Sequence, residues 1–128
     1  MSKNNQALVV EDDPPLRKMV KGYLELIKYQ VAEASDGRKA MAALREQKFD
    51  LVVLDLMLPE SAGYDVLEFM RANDMGSTPV LMMSARSLPE DRAHAEELGA
   101  RLYLIKPFTR AEFTRAVKAV TEEKVEGS

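Results

Sequence analysis

The chain has 128 residues, a length that fits one domain, and its formal net charge at pH 7 is -3. Acidic and basic side chains are interspersed, which argues against direct binding to nucleic acid, and the absence of cysteine excludes disulfides and thiolate metal sites. Residues 1–6 are polar and the apolar runs are short, so we expect a cytoplasmic domain without a secretion signal or a membrane span.

The amino-terminal part of the chain alternates predicted strands with predicted helices. An apolar run over residues 6–10 predicts the first strand, and Asp13 followed by Pro14 has the residue types that begin a helix. The apolar residues of that helix recur at intervals of three and four, which indicates packing on a sheet. They are Leu16, Met19, Val20, Tyr23, Leu24 and Ile27. Residues 31–34 predict a short edge strand. The next helix has a narrow apolar face made by Ala40, Ala43 and Leu44.

The third predicted strand carries the clearest signal in the chain. Residues 51–54 form an uninterrupted apolar run, which is typical of an internal parallel strand that is buried on both faces. The run stops at Asp55, and Pro59 prevents the strand from continuing. A carboxylate in this position lies at the carboxyl edge of a sheet, where open α/β folds bind their ligands.

Two further strands follow in the carboxyl-terminal half. A helix from about Gly63 precedes an apolar run over residues 79–83, which ends at Ser84. The helix that begins at Pro89 has the thinnest apolar face of the chain, so we expect residues 86–98 to be mobile. That face consists of Ala93, Ala95 and Leu98.

The last predicted strand covers residues 102–105 and ends at Lys106. Thr109 and Glu112 have the spacing of a capping box, and Phe108 and Phe113 stand where a hydrophobic staple would place them. Five strands that alternate with five helices predict an α/β fold, a doubly wound parallel sheet covered on both faces. We expect one domain over residues 1–128, with a core from about 7 to 120 and a polar tail over 121–128.

Polar or ionisable residues end the four strongest strands, and the ends of parallel strands lie on one rim of the sheet. Taken singly, each of these residues is more often a surface charge or a turn hydroxyl. Together they predict one site, formed by Glu11, Asp12, Asp55, Ser84 and Lys106.

Carboxylates that are drawn together repel one another unless they protonate, separate or bind a cation. Oxygen ligands select a hard divalent ion, and two carboxylates with one main-chain carbonyl suit Mg²⁺ better than Ca²⁺. A cation, an ammonium group and a hydroxyl around an aspartate favour phosphoryl transfer. Asp55 would be the nucleophile and would form an acyl phosphate.

These motifs resemble the receiver domain of two-component response regulators. They are residues 10–13 (Val-Glu-Asp-Asp), 55–59 (Asp-Leu-Met-Leu-Pro) with Gly63, 84–85 (Ser-Ala) and 106–108 (Lys-Pro-Phe), and the resemblance covers about residues 7–120. The resemblance implies a flavodoxin-like (βα)5 domain with a parallel sheet of order 2-1-3-4-5. It also implies a cis peptide bond between Lys106 and Pro107.

The resemblance assigns a chemical role to each residue of the predicted site. Asp55 accepts the phosphoryl group from a histidine kinase or a phosphotransfer protein, and Ser84 and Lys106 contact the phosphoryl oxygens. Mg²⁺, with Mn²⁺ as an alternative ion, is held by Asp12, by Asp55, by the main-chain carbonyl of Met57, and by Glu11 through water. The protein would then catalyse only its own phosphorylation and slow dephosphorylation, so it would not be an enzyme in the usual sense.

Ser84 and Tyr103 would act as the switch. Charge added at Asp55 draws Ser84 inward and lets Tyr103 turn in, which repacks the face formed by the fourth helix, the fifth strand and the fifth helix. A downstream protein or an effector domain would dock on that face. The alternative is that Tyr103 is an ordinary core residue.

Several positions depart from the family pattern or leave alternatives open. Ser61 and Ala62 replace residues that commonly cap a helix, and Met57 and Arg86 occupy positions that tune the lifetime of the acyl phosphate in receivers.

One alternative function is that of a docking module that is never phosphorylated. An aspartyl phosphohydrolase is another, although Met57 stands where such enzymes place a second carboxylate. His94 is expected to be exposed and without a role. Both a free-standing regulator and a receiver from a longer protein fit the sequence.

Overall fold

The computed structural model describes residues 5–86 and 88–122, which form a parallel sheet with helices on both faces. A 3-10 turn, Pro59–Ser61, precedes the third helix. In chain order the elements are β1 (Asn5–Val10), α1 (Pro14–Leu26), β2 (Tyr29–Ala34), α2 (Gly37–Glu46), β3 (Leu51–Asp55), α3 (Ala62–Ala72), β4 (Val80–Ser84), α4 (Pro89–Glu97), β5 (Leu102–Ile105) and α5 (Arg110–Glu122).

The five strands lie in the order β2-β1-β3-β4-β5 and every neighbouring pair is parallel, which confirms the expected α/β fold and sheet order. The register places Val10 beside Leu54 and Asp55 beside Met83. The residues that directly follow β1 and β3 therefore reach the same edge of the sheet. The peptide bond between Lys106 and Pro107 is cis, as the resemblance implied.

The apolar runs are buried on both faces, as expected of internal parallel strands. One face of the sheet packs against α2, α3 and α4, and the other against α1 and α5. Alternate residues of β1 and β3 separate between these two layers: Leu8, Val10, Val52 and Leu54 on one side, and Ala7, Val9, Leu51 and Val53 on the other.

The predicted helix starts are confirmed by their hydrogen bonds. Asp13 Oδ2 accepts from the main-chain N–H of Leu16 at 3.3 Å. Thr109 and Glu112 form the predicted reciprocal capping box, with N–H to side-chain distances of 2.8 and 3.0 Å. The rings of Phe108 and Phe113 stack with centroids 5.7 Å apart. Local sequence signals therefore determine where α1 and α5 begin.

Some boundaries and burial patterns differ from the predictions. Met19 was assigned to the buried face of α1, but it is 36% exposed. The buried arc is centred on Val20 and Leu24, and each helical residue turns by roughly 100°, which moves Met19 outside that arc. Thr121 and Glu122, placed in the polar tail, belong to α5, and residues 123–128 lie outside the described part of the chain.

The apolar face of α4 is as thin as the sequence indicated. Among the nine residues of α4, all of which the structure describes, Ala95 alone is buried. Higher mobility of this helix stays a prediction. In the two described ranges, no helix is both long enough and apolar enough to cross a membrane.

Gly63 sits where α3 approaches the end of β3. A Cβ atom on Gly63 would lie 2.7 Å from the Leu56 carbonyl oxygen and 2.8 Å from that of Asp55. These are backbone atoms, so the strand end or the helix would have to move. We therefore expect Gly63→Ala to lower the free energy of unfolding by on the order of 1–3 kcal/mol, measured by urea denaturation.

Gly22 provides the matched control for this substitution. It lies inside α1, and a Cβ atom there would meet no heavy atom within 4 Å. Gly22→Ala should raise the free energy of unfolding by about 0.5–1 kcal/mol because alanine favours helix more than glycine does. Equal effects of the two substitutions would contradict the close approach at Gly63.

Candidate functional site

Three acidic side chains meet at the carboxyl edge of the sheet. Glu11 and Asp12 directly follow β1, and Asp55 is the last residue of β3. Each offers a carboxylate oxygen, and these oxygens lie within 4.8 Å of one another. The sequence-predicted acidic residues are therefore brought together, because β1 and β3 are neighbouring parallel strands that end at the same level.

Lys106 joins this acidic group from the end of β5. Its Nζ lies 3.1 Å from Glu11 Oε1 and 3.2 Å from Asp55 Oδ2, and its main-chain N–H donates to the Ser84 carbonyl oxygen at 2.8 Å. Burial alone would lower the pKa of the Lys106 ammonium, but the charges of Asp55 and Glu11 and their hydrogen bonds outweigh burial and raise that pKa. Lys106 therefore remains a cation at the centre of the site.

Glu11 is the most deeply buried charged group of the site, with 1% of the residue exposed. Burial, followed by the negative charge of Asp55, raises the pKa of its carboxyl group from 4.5 to about 7. Lys106 and the main-chain N–H of Asp13, at 3.1 Å from Oε2, act in the opposite direction. With this pKa, both the protonated and the ionised form of the carboxyl group would be populated near neutral pH, and a nearby cation would favour the ionised form.

Asp55 is held in one orientation by a donor on each carboxylate oxygen. The main-chain N–H of Met57 donates to Oδ1 at 2.9 Å, and Lys106 donates to Oδ2 at 3.2 Å. Only 3% of the residue is exposed. A carboxylate that is fixed in this way and lies close to one cation is suited to act as a nucleophile toward an electrophilic phosphorus atom.

Ser84 and Tyr103 both contact Arg86, which lies in the segment between β4 and α4. The buried Ser84 Oγ accepts from the main-chain N–H of Arg86 at 2.9 Å, and the hydroxyl of Tyr103 donates to the Arg86 carbonyl oxygen at 3.2 Å. Tyr103 is 7% exposed, so its ring already lies inside the fold. Arg92 of α4 lies over this ring, with Cζ 5.4 Å from the centroid.

The donor set of the site fits a hard divalent cation. When ionised, Glu11, Asp12 and Asp55 carry three negative charges against the single positive charge of Lys106, and the ligand atoms are all oxygen. Two excess negative charges and oxygen ligands match Mg²⁺. Asp12 is exposed and so faces solvent, from which an ion would enter. The part assigned to the Met57 carbonyl stays a prediction.

One group of side chains beside the site was missed from the sequence. Tyr64 of α3 donates to Asp91 Oδ1 of α4 at 3.1 Å, and Arg86 Nε lies 2.9 Å from Asp91 Oδ2. His94 is exposed as predicted, but its ring stacks on Tyr64 with centroids 4.5 Å apart. These residues come from three segments, so no spacing along the chain could reveal them.

A model of the response regulator receiver domain family matches residues 7–118 of this chain. The order of the strands and the acidic site with Lys106 are consistent with this family match. The chain belongs to the receiver domains of two-component response regulators.

The chain is also similar to individual curated proteins. It is 35% identical to the transcriptional regulatory protein SrrA of Staphylococcus aureus over 117 residues, which cover 91% of this chain and 48% of SrrA. The chain thus spans about half the length of the curated relatives that it matches.

Solved structures show the same fold. The chemotaxis protein CheY4 of Vibrio cholerae is 28% identical with a TM-score of 0.86, over 92% of this chain and 99% of CheY4. The receiver domain of the sensor histidine kinase PA1611 of Pseudomonas aeruginosa is 30% identical with a TM-score of 0.82, over 93% of this chain and 98% of that domain. The PA1611 structure has a magnesium ion coordinated in its active site cleft.

The raised pKa of Glu11 predicts a pH dependence of stability. Since that pKa moves from 4.5 to about 7, the folded protein retains a proton between these values that the unfolded chain releases. Stability should therefore fall as pH rises from about 5 to about 8, by on the order of 2 kcal/mol relative to Glu11→Gln. Urea denaturation in EDTA at both pH values measures this difference. Parallel pH profiles of the two proteins would refute the assignment to Glu11.

Proposed function

We propose that this chain is a phosphoacceptor receiver of a two-component or phosphorelay system, which takes a phosphoryl group onto Asp55 from a histidine kinase or a phosphotransfer protein. The observation that carries the proposal is the position of Lys106, whose ammonium group contacts both Asp55 and Glu11 at the open edge of the sheet. Membership of the receiver family supports the same chemistry. We also propose that the protein works in the cytoplasm.

In the proposed reaction a carboxylate oxygen of Asp55 attacks phosphorus, and the bond between phosphorus and the donor nitrogen breaks. The electron pair of that bond returns to the imidazole of the donor. Lys106 is held 3.2 Å from Asp55 Oδ2, where its charge can neutralise a phosphoryl oxygen. The Ser84 hydroxyl is a second group of this chain that can donate to a phosphoryl oxygen.

Asp12, Asp55, the Met57 main-chain carbonyl and, through water, Glu11 would hold the divalent ion. Magnesium, when bound, offsets negative charge on the phosphoryl oxygens and draws them toward the aspartate. The magnesium in the PA1611 receiver cleft and the clustering of Glu11, Asp12 and Asp55 support this proposal. Mn²⁺, which also accepts oxygen ligands, is the alternative ion.

The proposed output is a shift in population at the face formed by α4, β5 and α5. Tyr103 connects β5 to the Arg86 carbonyl, and Arg86 is bonded through its N–H to Ser84. A phosphoryl group that engages the Ser84 hydroxyl would favour the inward position of Tyr103 over an outward one. A downstream protein or an effector domain would read that face.

Replacing the phosphoacceptor tests the central step. Asp55→Asn should abolish labelling by acetyl phosphate and Mg²⁺, because an amide oxygen is too weak a nucleophile to capture phosphorus. Intact-mass spectrometry would show the mass of one phosphoryl group on the wild type and none on the variant. Asp65→Asn, which removes an exposed carboxylate from α3, is the matched control and should label like the wild type.

Two further results would contradict the proposal. Labelling that persists in Asp55→Asn, or that is unchanged when EDTA removes the metal, would exclude Asp55 and the divalent ion from the reaction. Repeated release of phosphate from a generic phosphate ester would favour a phosphohydrolase. If acetyl phosphate and a set of histidine kinases all fail to label the protein, a phosphorylation-independent docking module becomes the better account.

A further inference from the structure

A polar cluster ties α4 to the rest of the domain. Asp91, in the first turn of α4, accepts from the Tyr64 hydroxyl at 3.1 Å and lies 2.9 Å from Arg86 Nε, while His94 stacks on the Tyr64 ring. The Asp91 side chain is 15% exposed. Since Ala95 is the single buried residue among the nine of α4, these contacts carry much of its attachment.

Arg86 lies between this cluster and the phosphorylation site. Its main-chain N–H donates to Ser84 Oγ. Arg86 also lines a cleft of about 220 Å³, together with Asp91, Tyr64 and residues 56–58, the segment that directly follows Asp55. The middle residue of that segment, Met57, donates its N–H to Asp55 Oδ1. Arg86 therefore borders the same cleft as the segment whose main-chain N–H holds Asp55, and its ion-pair partner is Asp91.

The pair between Arg86 and Asp91 is close but poorly directed. Arg86 Nε is 2.9 Å from Asp91 Oδ2, yet this oxygen is buried and accepts no hydrogen bond from any group that the structure describes. Asp91 Oδ1 has a separate donor, the Tyr64 hydroxyl. Burial and then this hydrogen bond raise the pKa of Tyr64 to about 12, so the phenol stays protonated near neutral pH. Asp91 can thus release Arg86 without losing its bond to Tyr64.

A phosphoryl group is a strong competitor for a guanidinium. It carries nearly two negative charges at neutral pH, and the planar guanidinium pairs with phosphate oxygens through two parallel hydrogen bonds. Asp91 offers one negative charge. Arg86 borders the same cleft as Met57, whose main-chain N–H bonds Asp55. A phosphoryl group on Asp55 would therefore add a second anion near this cleft, present only in the phosphorylated state.

We propose that Asp91 is a positioning residue that holds Arg86 on α4, and that a phosphoryl group at Asp55 competes with Asp91 for the guanidinium. This inference rests on the proposed function, since it requires phosphate at Asp55. When Arg86 turns to the phosphoryl group, Asp91 loses its counter-charge and the first turn of α4 loses one of its attachments. Phosphorylation is thereby linked to α4 through a single side chain.

A double-variant cycle tests the positioning role. Asp91→Asn keeps an acceptor for Tyr64 and removes the charge that holds Arg86, so it should lower the KM for acetyl phosphate by roughly three- to ten-fold, the range expected of one net hydrogen bond. The maximal rate of labelling should change less. The KM effect should disappear when Asp91→Asn is combined with Arg86→Gln, and Glu90→Gln, an exposed acid in the same turn, should leave KM unchanged.

A loss of structure in α4 would produce a different result, because the effect of Asp91→Asn would then be the same with and without Arg86. That outcome overturns the inference, and so does an Asp91→Asn variant with unchanged KM. In both cases Asp55 is still labelled, so the proposed function survives.

Hydrogen exchange of the α4 amides supplies a readout that needs no phosphorylation. Exchange over residues 89–97 should be accelerated several-fold by Asp91→Asn and by Arg86→Gln, and the double variant should exchange no faster than either single one. If Asp55 is never labelled, the proposed function fails, yet this exchange cycle still shows whether Arg86 and Asp91 attach α4 as a pair. Independent, additive effects of the two substitutions would overturn that pairing.

Discussion

The contact on which this structure depends is the ammonium group of Lys106 between two carboxylates, Glu11 and Asp55. The apolar strands β1 and β3 are buried on both faces, and burial continues to their last residues, so two acids are drawn into the same poorly hydrated edge. Without a cation their repulsion would destabilise the fold. Lys106 reaches them from the end of β5, across β4, and so connects distant parts of the sheet through charge.

The sequence predicted the members of this site because polar residues follow apolar runs, and the carboxyl ends of parallel strands share one edge. Glu11, Asp55 and Lys106 were found in this way, without any knowledge of which strands are neighbours. The order of the strands came from the resemblance to receivers, since alternation of strands and helices fits several orders. The helix starts at Asp13 and Thr109 were predictable because capping depends only on adjacent residues.

What the sequence did not reveal depends on side chains from separate segments. Met19 was misplaced because helical periodicity identifies an apolar stripe but does not set the width of the buried arc. The cluster of Arg86, Asp91, Tyr64 and His94 lacks any periodic signal, because its members come from α3, α4 and the segment after β4. The weakness of α4 was visible in its composition, whereas its means of attachment was not.

The helices of this domain are attached to the sheet in different ways. Helices α1 and α5 are held mainly by apolar burial, whereas α4 is held largely by polar contacts near the site. A ligand can shift an equilibrium only by as much as its affinity differs between the two states. An ion pair supplies such a difference when a new anion appears beside it, and a buried leucine does not. We therefore expect the response to phosphate to involve α4, in which Ala95 alone is buried. Arg86 connects the two regions, because it pairs with Asp91 of α4 and bonds Ser84 of the site.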